Sequence, residues 1–83
     1  GHTPGHQSLR VRLASGDVVL AADACYLRRT LDDLRLPATA HDPAAMLAVL
    51  HRLRALRAAG TRIVYGHDAA DWATVPQAPA ALT

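Results

Sequence analysis

Few residues here have chemistry to offer, and three of them sit where a metal could use them. The stretch GHTPGHQS, residues 1–8, carries His2 and His6 four positions apart. That spacing would put both imidazoles on one face of a helix, as helical zinc motifs do. Pro4 and Gly5 argue against a helix, because proline removes a backbone donor, pushes Thr3 towards extended backbone, and is followed by a turn-permitting glycine. The stretch therefore reads as a tightly turned loop that presents one imidazole and braces it with the other. Asp23 and His67 each follow an apolar run that reads as a strand. Imidazole and carboxylate suit zinc and similar ions, and strand ends can bring ligands from distant parts of a chain to one edge. Each also has a plain structural reading. A strand-end aspartate can cap a turn, and Gly66-His67-Asp68 can open a helix with Asp68 as its cap.

The elements that must position these residues follow from patterning. Leu9 to Leu13 alternates apolar and charged side chains, the period of a strand with one buried face. Ser15-Gly16-Asp17 is turn chemistry, and Val18 to Ala22 is an apolar run that can be buried on both faces, so a hairpin joins the two. Residues 27–41 read as an irregular connection, with Pro37 breaking any helix. Asp42-Pro43 is a helix start, a capping carboxylate followed by proline at the first helical position. Met46, Val49, Leu50, Leu53 and Leu56 then recur at helical spacing over 43–59, and Gly60 supplies the stop. Ile63-Val64-Tyr65 is a brief strand, and 76–83 is a loose alanine- and proline-rich tail. No linker divides the 83 residues, which read as part of a single domain.

Composition narrows the function classes. The single cysteine, Cys25, excludes an internal disulfide, and no apolar run approaches the roughly twenty residues of a membrane helix. A soluble, cytoplasmic protein without a membrane partner is expected. Every basic residue is arginine and every acidic one aspartate, at a net charge of only +2. Arg52, Arg54 and Arg57 fall on different sides of their helix and read as solvated side chains, so no nucleic-acid partner is expected. His41 and His51 read as surface residues. With one tryptophan and no phenylalanine the core is thin, and a chain this small needs a partner or a metal to support it.

Taken in order, GHTPGHQS, a strand ending in AADACY and a strand ending in YGHD resemble the metallo-β-lactamase-fold hydrolases, and among them the N-acyl homoserine lactone lactonases. The resemblance runs from Gly1 to about Trp72, and the tyrosine three residues after the aspartate narrows it to the lactonases. It implies an α/β fold: the C-terminal half of an αββα sandwich, with mostly antiparallel strands and one long helix. It further implies two divalent metal ions, zinc by preference, with His2 a ligand of one, Asp23 bridging both and His67 a ligand of the other. His6, Gln7 and Ser8 would support the ligands. Tyr26 would contact the lactone carbonyl, or the oxyanion formed from it, during attack by a hydroxide bridging the metals. Cys25, between Asp23 and Tyr26, would face the other way and not serve as a thiolate nucleophile.

The substrate so implied is an acyl homoserine lactone, and the activity is the quenching of quorum signals. The upstream His-x-His-x-Asp-His motif of that family is not in these 83 residues. The expectation is therefore a fragment that needs the N-terminal half of its own domain and is inactive without it. Two alternatives stand beside this reading: hydrolysis of a thioester, β-lactam or phosphodiester on the same scaffold, or a packing subdomain without enzymatic activity.

Overall fold

In the computed structural model, residues 3–36, 38 and 41–83 are described. His2 and Pro37 lie outside them. Strands β1 (Leu9–Leu13) and β2 (Gly16–Ala22) form an antiparallel hairpin whose last pair is Leu13 with Gly16. The turn is thus Ala14-Ser15, one residue earlier than expected, with Gly16 at φ 128 where an L-residue would be strained. Asp17 belongs to the strand instead of the turn. Its carboxylate accepts from Arg10 Nε at 2.9 Å and faces Arg12 across the ladder. Cross-strand pairing of this kind adds well under about 1 kcal/mol at an exposed site.

Helix α1 (Arg28–Asp33) occupies the stretch expected to be irregular. It has Leu27 at its N-cap with no side-chain cap, and it ends at Leu34 in the left-handed region. Without a sequence signal at either end, it is held by tertiary contact: Leu31 is fully buried and Asp32 lies 2.7 Å from Arg57. Arg57 also donates to the Tyr65 hydroxyl at 3.2 Å, so it turns inward while Arg52 and Arg54 stay exposed. Helix α2 (Pro43–Ala58) starts as its sequence requires, with the Asp42 side chain accepting from Ala45 N at 3.0 Å. A cap of this kind stabilises by about 1 kcal/mol. It ends in a two-bond closure, Thr61 N to Leu56 O and Gly60 N to Arg57 O, both at 3.0 Å, with Gly60 at φ 103.

Strand β3 (Arg62–Tyr65) pairs with β2 in parallel, giving the order β1-β2-β3. The mostly antiparallel sheet of the expectation thus describes the hairpin but not this second pairing. The reason is topological: a strand that returns through a helix crosses over and runs alongside its neighbour. One sheet face carries Val19, Ala21, Ile63 and Tyr65, which pack with Leu31, Leu50, Leu53 and Cys25 into the core. The other face carries the pairs Leu9–Leu20 and Val11–Val18, with Val64 beside Leu20. Leu9 and Leu20 are exposed there, so the central run of β2 is buried on both faces only at its start. A last short helix, α3 (Ala69–Trp72), follows β3, and residues 76–83 contain no helix or strand. Among the described residues no helix is long and apolar enough to cross a membrane.

Candidate metal centre

The opening loop is a turn, as its composition requires: His6 N donates to Thr3 O at 3.2 Å across Pro4 and Gly5. Gln7 is exposed, and Ser8 Oγ donates to Ala21 O at 2.9 Å, which ties the loop to the end of β2. His6 and Ser8 line a cavity of about 290 Å³ between the hairpin and α2, its floor formed by Val19, Val49 and Leu53.

At the end of β2 the backbone leaves the strand abruptly. The register shifts between Leu20 and Ala22, and Ala22 takes φ 50, a conformation an L-residue adopts at a cost of about 1 kcal/mol or more. Asp23 is the next residue. Gly66 sits against this kink, and a Cβ built on it would lie 2.3 Å from the Ala22 carbonyl oxygen. Only glycine permits that approach. The pairing then continues beyond the strands, with Gly66 N donating to Cys25 O at 3.0 Å and His67 N to Tyr26 O at 2.9 Å.

This zipper brings three of the expected residues together. His67 Nε2 lies 2.9 Å from Asp23 Oδ1, and the two side chains are 63% and 43% exposed. The Tyr26 ring stands edge-on to the His67 ring, with centroids 4.8 Å apart and planes at 86°. His2, the fourth residue of the expected set, falls outside the described residues. Among those described, no group of three or more His, Cys, Asp or Glu is placed to hold a metal ion. A carboxylate and an imidazole opening to solvent are donors that a divalent ion accepts, but a catalytic zinc site takes three protein ligands. Asp23 and His67 therefore fit as part of such a site and not as the whole.

Cys25 is fully buried in the core, and its Sγ donates to Leu27 O at 3.5 Å. Burial pushes its thiol from 9.0 up to about 11, against the opposing pull of Arg57. It is core, not a nucleophile. Because the folded state holds the proton more tightly than the unfolded chain, this contribution is complete below pH 9.0 and drains away as the pH rises towards about 11. The urea midpoint should therefore fall between pH 8 and pH 10.5, and Cys25→Ala should flatten that dependence. An equal fall in both proteins would refute the assignment.

Arg28 and Asp71, which patterning did not single out, join Asp68 in bracing the site. The Asp68 carboxylate accepts from Arg28 N at 2.9 Å and from Asp71 N at 3.0 Å, and these two donors, Arg28's first, hold it below the usual carboxylate range. The Arg28 guanidinium pairs with Asp71, which is buried, and its Cζ lies 5.9 Å from the Tyr65 ring centre. The helix-cap reading of Asp68 is met by this structure, yet a capping aspartate alone gives no hint of Arg28, forty residues away.

No protein-family model matches the chain. Individual proteins do. It is 36% identical over 81 residues to the N-acyl homoserine lactonase AttM of Azorhizobium caulinodans, across 95% of this chain and 31% of that protein. It is 37% identical over 70 residues to the N-acyl homoserine lactonase AiiA of Bacillus thuringiensis subsp. kurstaki, covering 82% of this chain and 28% of the relative. A solved N-acyl homoserine lactone hydrolase, with the product N-hexanoyl-L-homoserine at its catalytic metal centre, superposes on 99% of the chain. The TM-score is 0.83 at 31% identity, over 33% of that structure. A quorum-quenching N-acyl homoserine lactone hydrolase gives the same score and identity over 34% of its length. The chain thus spans about a third of the length of the proteins it matches. In sequence and in fold alike, it is similar to a one-third segment of the N-acyl homoserine lactonases, proteins of the metallo-β-lactamase fold.

Proposed function

We propose that this chain is part of a metal-dependent hydrolase that opens the lactone ring of N-acyl homoserine lactones. The observation that carries the reading is the convergence of Asp23, Tyr26 and His67 at neighbouring strand ends, in a chain similar to lactonases over nearly its whole length. Asp23 and His67 would hold divalent metal, Asp23 between two ions and His67 on one, with His2 as a further ligand. Zinc is the ion of choice for such donors. When bound, metal of this kind lowers the pKa of water and polarises a carbonyl.

The rest falls to the protein. Water adds across the ester bond: its oxygen joins the carbonyl carbon, the ring C–O bond breaks, and a proton goes to the departing alkoxide. Tyr26 stands beside His67 with a phenol that can donate to the carbonyl oxygen as charge develops on it. His6, Gln7 and Ser8 would support the ligands, with Ser8 anchored on Ala21. The remaining ligands come from elsewhere in the same domain, which also covers the apolar face around Leu9 and Leu20. The 83 residues alone are accordingly expected to turn over no lactone.

The test is the full-length protein loaded with zinc, assayed in parallel on acyl homoserine lactones, thioesters, β-lactams and phosphodiesters. Ring opening of the lactone, abolished by a chelator, is the expected result. Efficient hydrolysis of another class with the lactone untouched would overturn the substrate. A zinc-loaded protein inert on all four would favour a packing role.

A further inference from the structure

Two loops carry the candidate site, and they follow the C-terminal ends of the neighbouring parallel strands β2 and β3. Asp23 and Tyr26 lie between β2 and α1, and His67 lies between β3 and α3. Each loop runs directly into a short helix, and α1 lacks a side-chain cap from its own N-terminus. The first N–H of α1, that of Arg28, is taken instead by Asp68 Oδ2 at 2.9 Å, while Asp68 Oδ1 caps α3 through Asp71 N at 3.0 Å. One carboxylate thus caps both helices.

A second link runs beside the first. The Arg28 guanidinium reaches Asp71, whose side chain is only 6% exposed. A buried carboxylate without a cation would be costly, and nothing about capping α3 requires a carboxylate at that position. Its placement makes sense as the far end of a strut across the two loops. The strut closes one residue after His67 and two after Tyr26, immediately beyond the backbone bonds Gly66 N to Cys25 O and His67 N to Tyr26 O.

We propose that Arg28, Asp68 and Asp71 form a positioning clamp that sets the register of the two loops, and through it the approach of Asp23, Tyr26 and His67. None of the three touches substrate or metal in this scheme; they act through the residues they hold. In its consequence for metal the inference rests on the proposed hydrolase reading, but the geometry it asserts does not.

Two readouts separate these. The edge-on Tyr26 ring shifts the His67 ring protons by ring current, which reports loop register with no metal present. Zinc affinity, measured on the full-length protein by competition with a chromophoric chelator, reports the consequence. Asp68→Asn keeps an acceptor for the α3 cap but turns an amide N–H₂ towards Arg28 N, and Asp71→Asn removes the charge that Arg28 meets. Both should move the His67 ring protons towards unshifted values while the methyl resonances of Leu50 and Leu53 stay in place. Both should also weaken zinc about 10–100-fold, the range for residues that orient ligands. Arg28→Lys, which keeps the backbone donor and the charge, should leave most of the ring shift and of the zinc affinity in place.

Should Asp68→Asn fail to fold, Asp71→Asn and Arg28→Lys carry the same comparison. Folded variants with the His67 shifts unchanged would overturn the clamp. A wild-type protein that binds no zinc, yet loses its ring shifts in the variants, would sink the hydrolase reading and leave the clamp standing.

Discussion

Gly66→Ala is expected to lower the melting temperature of the full-length protein by roughly 5–10 °C, the largest effect on stability foreseen for a single methyl group here. The added Cβ would lie 2.3 Å from the carbonyl oxygen of Ala22, 2.7 Å from its carbon and 3.2 Å from its Cα. All three are backbone atoms, so no side chain can swing aside. Ala22 is already at φ 50 and has little room to retreat. Overpacking typically costs about 1–3 kcal/mol, and the upper end applies where backbone must move. These residues span about a third of the length of the relatives, and in a domain of that larger size each kcal/mol is worth roughly 2–4 °C. Gly5→Ala is the control, since a Cβ there meets nothing within 4 Å and should leave the transition almost unmoved. Thermal melts by circular dichroism would decide the matter, and a Gly66→Ala midpoint within a few degrees of the parent would show that the β2–β3 junction relaxes freely.

In the full-length protein, Tyr26→Phe and Asp23→Asn should fail in different ways. Tyr26 meets the site through the T-shaped contact of its ring with His67 and through its carbonyl, which accepts from His67 N, and phenylalanine preserves both. Only the phenol is lost. Zinc content should stay at the parent level while turnover falls about 10²–10³-fold, the usual cost of one oxyanion donor. Asp23→Asn keeps the shape but removes the negative charge, so the metal itself should go, and activity with it. Elemental analysis beside lactone turnover separates the two. Full activity in Tyr26→Phe would remove the tyrosine from the mechanism, and full zinc occupancy in Asp23→Asn would remove the aspartate from the metal.

Much of this architecture is local and was legible in the residues. Helix α2 announces both its ends, because Asp42, Pro43 and Gly60 act on backbone groups within a few positions of themselves. Its buried stripe of Met46, Leu50 and Leu53 follows from spacing alone. The hairpin is nearly as plain, missed by one residue because Asp17 suits a turn as well as a strand and only its pairing with Arg10 decides. Asp23, Tyr26 and His67 stand out by type, order and family likeness, and the structure sets their side chains next to one another.

What the sequence could not say is how these residues meet, because every deciding contact joins positions far apart along the chain. The parallel pairing of β3, the burial of Cys25, and the existence of α1 all depend on what packs across the sheet. The 2.9 Å approach of His67 to Asp23 needs a kinked Ala22, a glycine at position 66 and a carboxylate at 68 shared between two helices. Local preference opposes the first of these, since alanine disfavours φ 50, and it is silent on the other two. Residue type thus determined which groups could do chemistry, and the fold alone, by overriding local backbone preference at the β2–β3 junction, decided that they stand together.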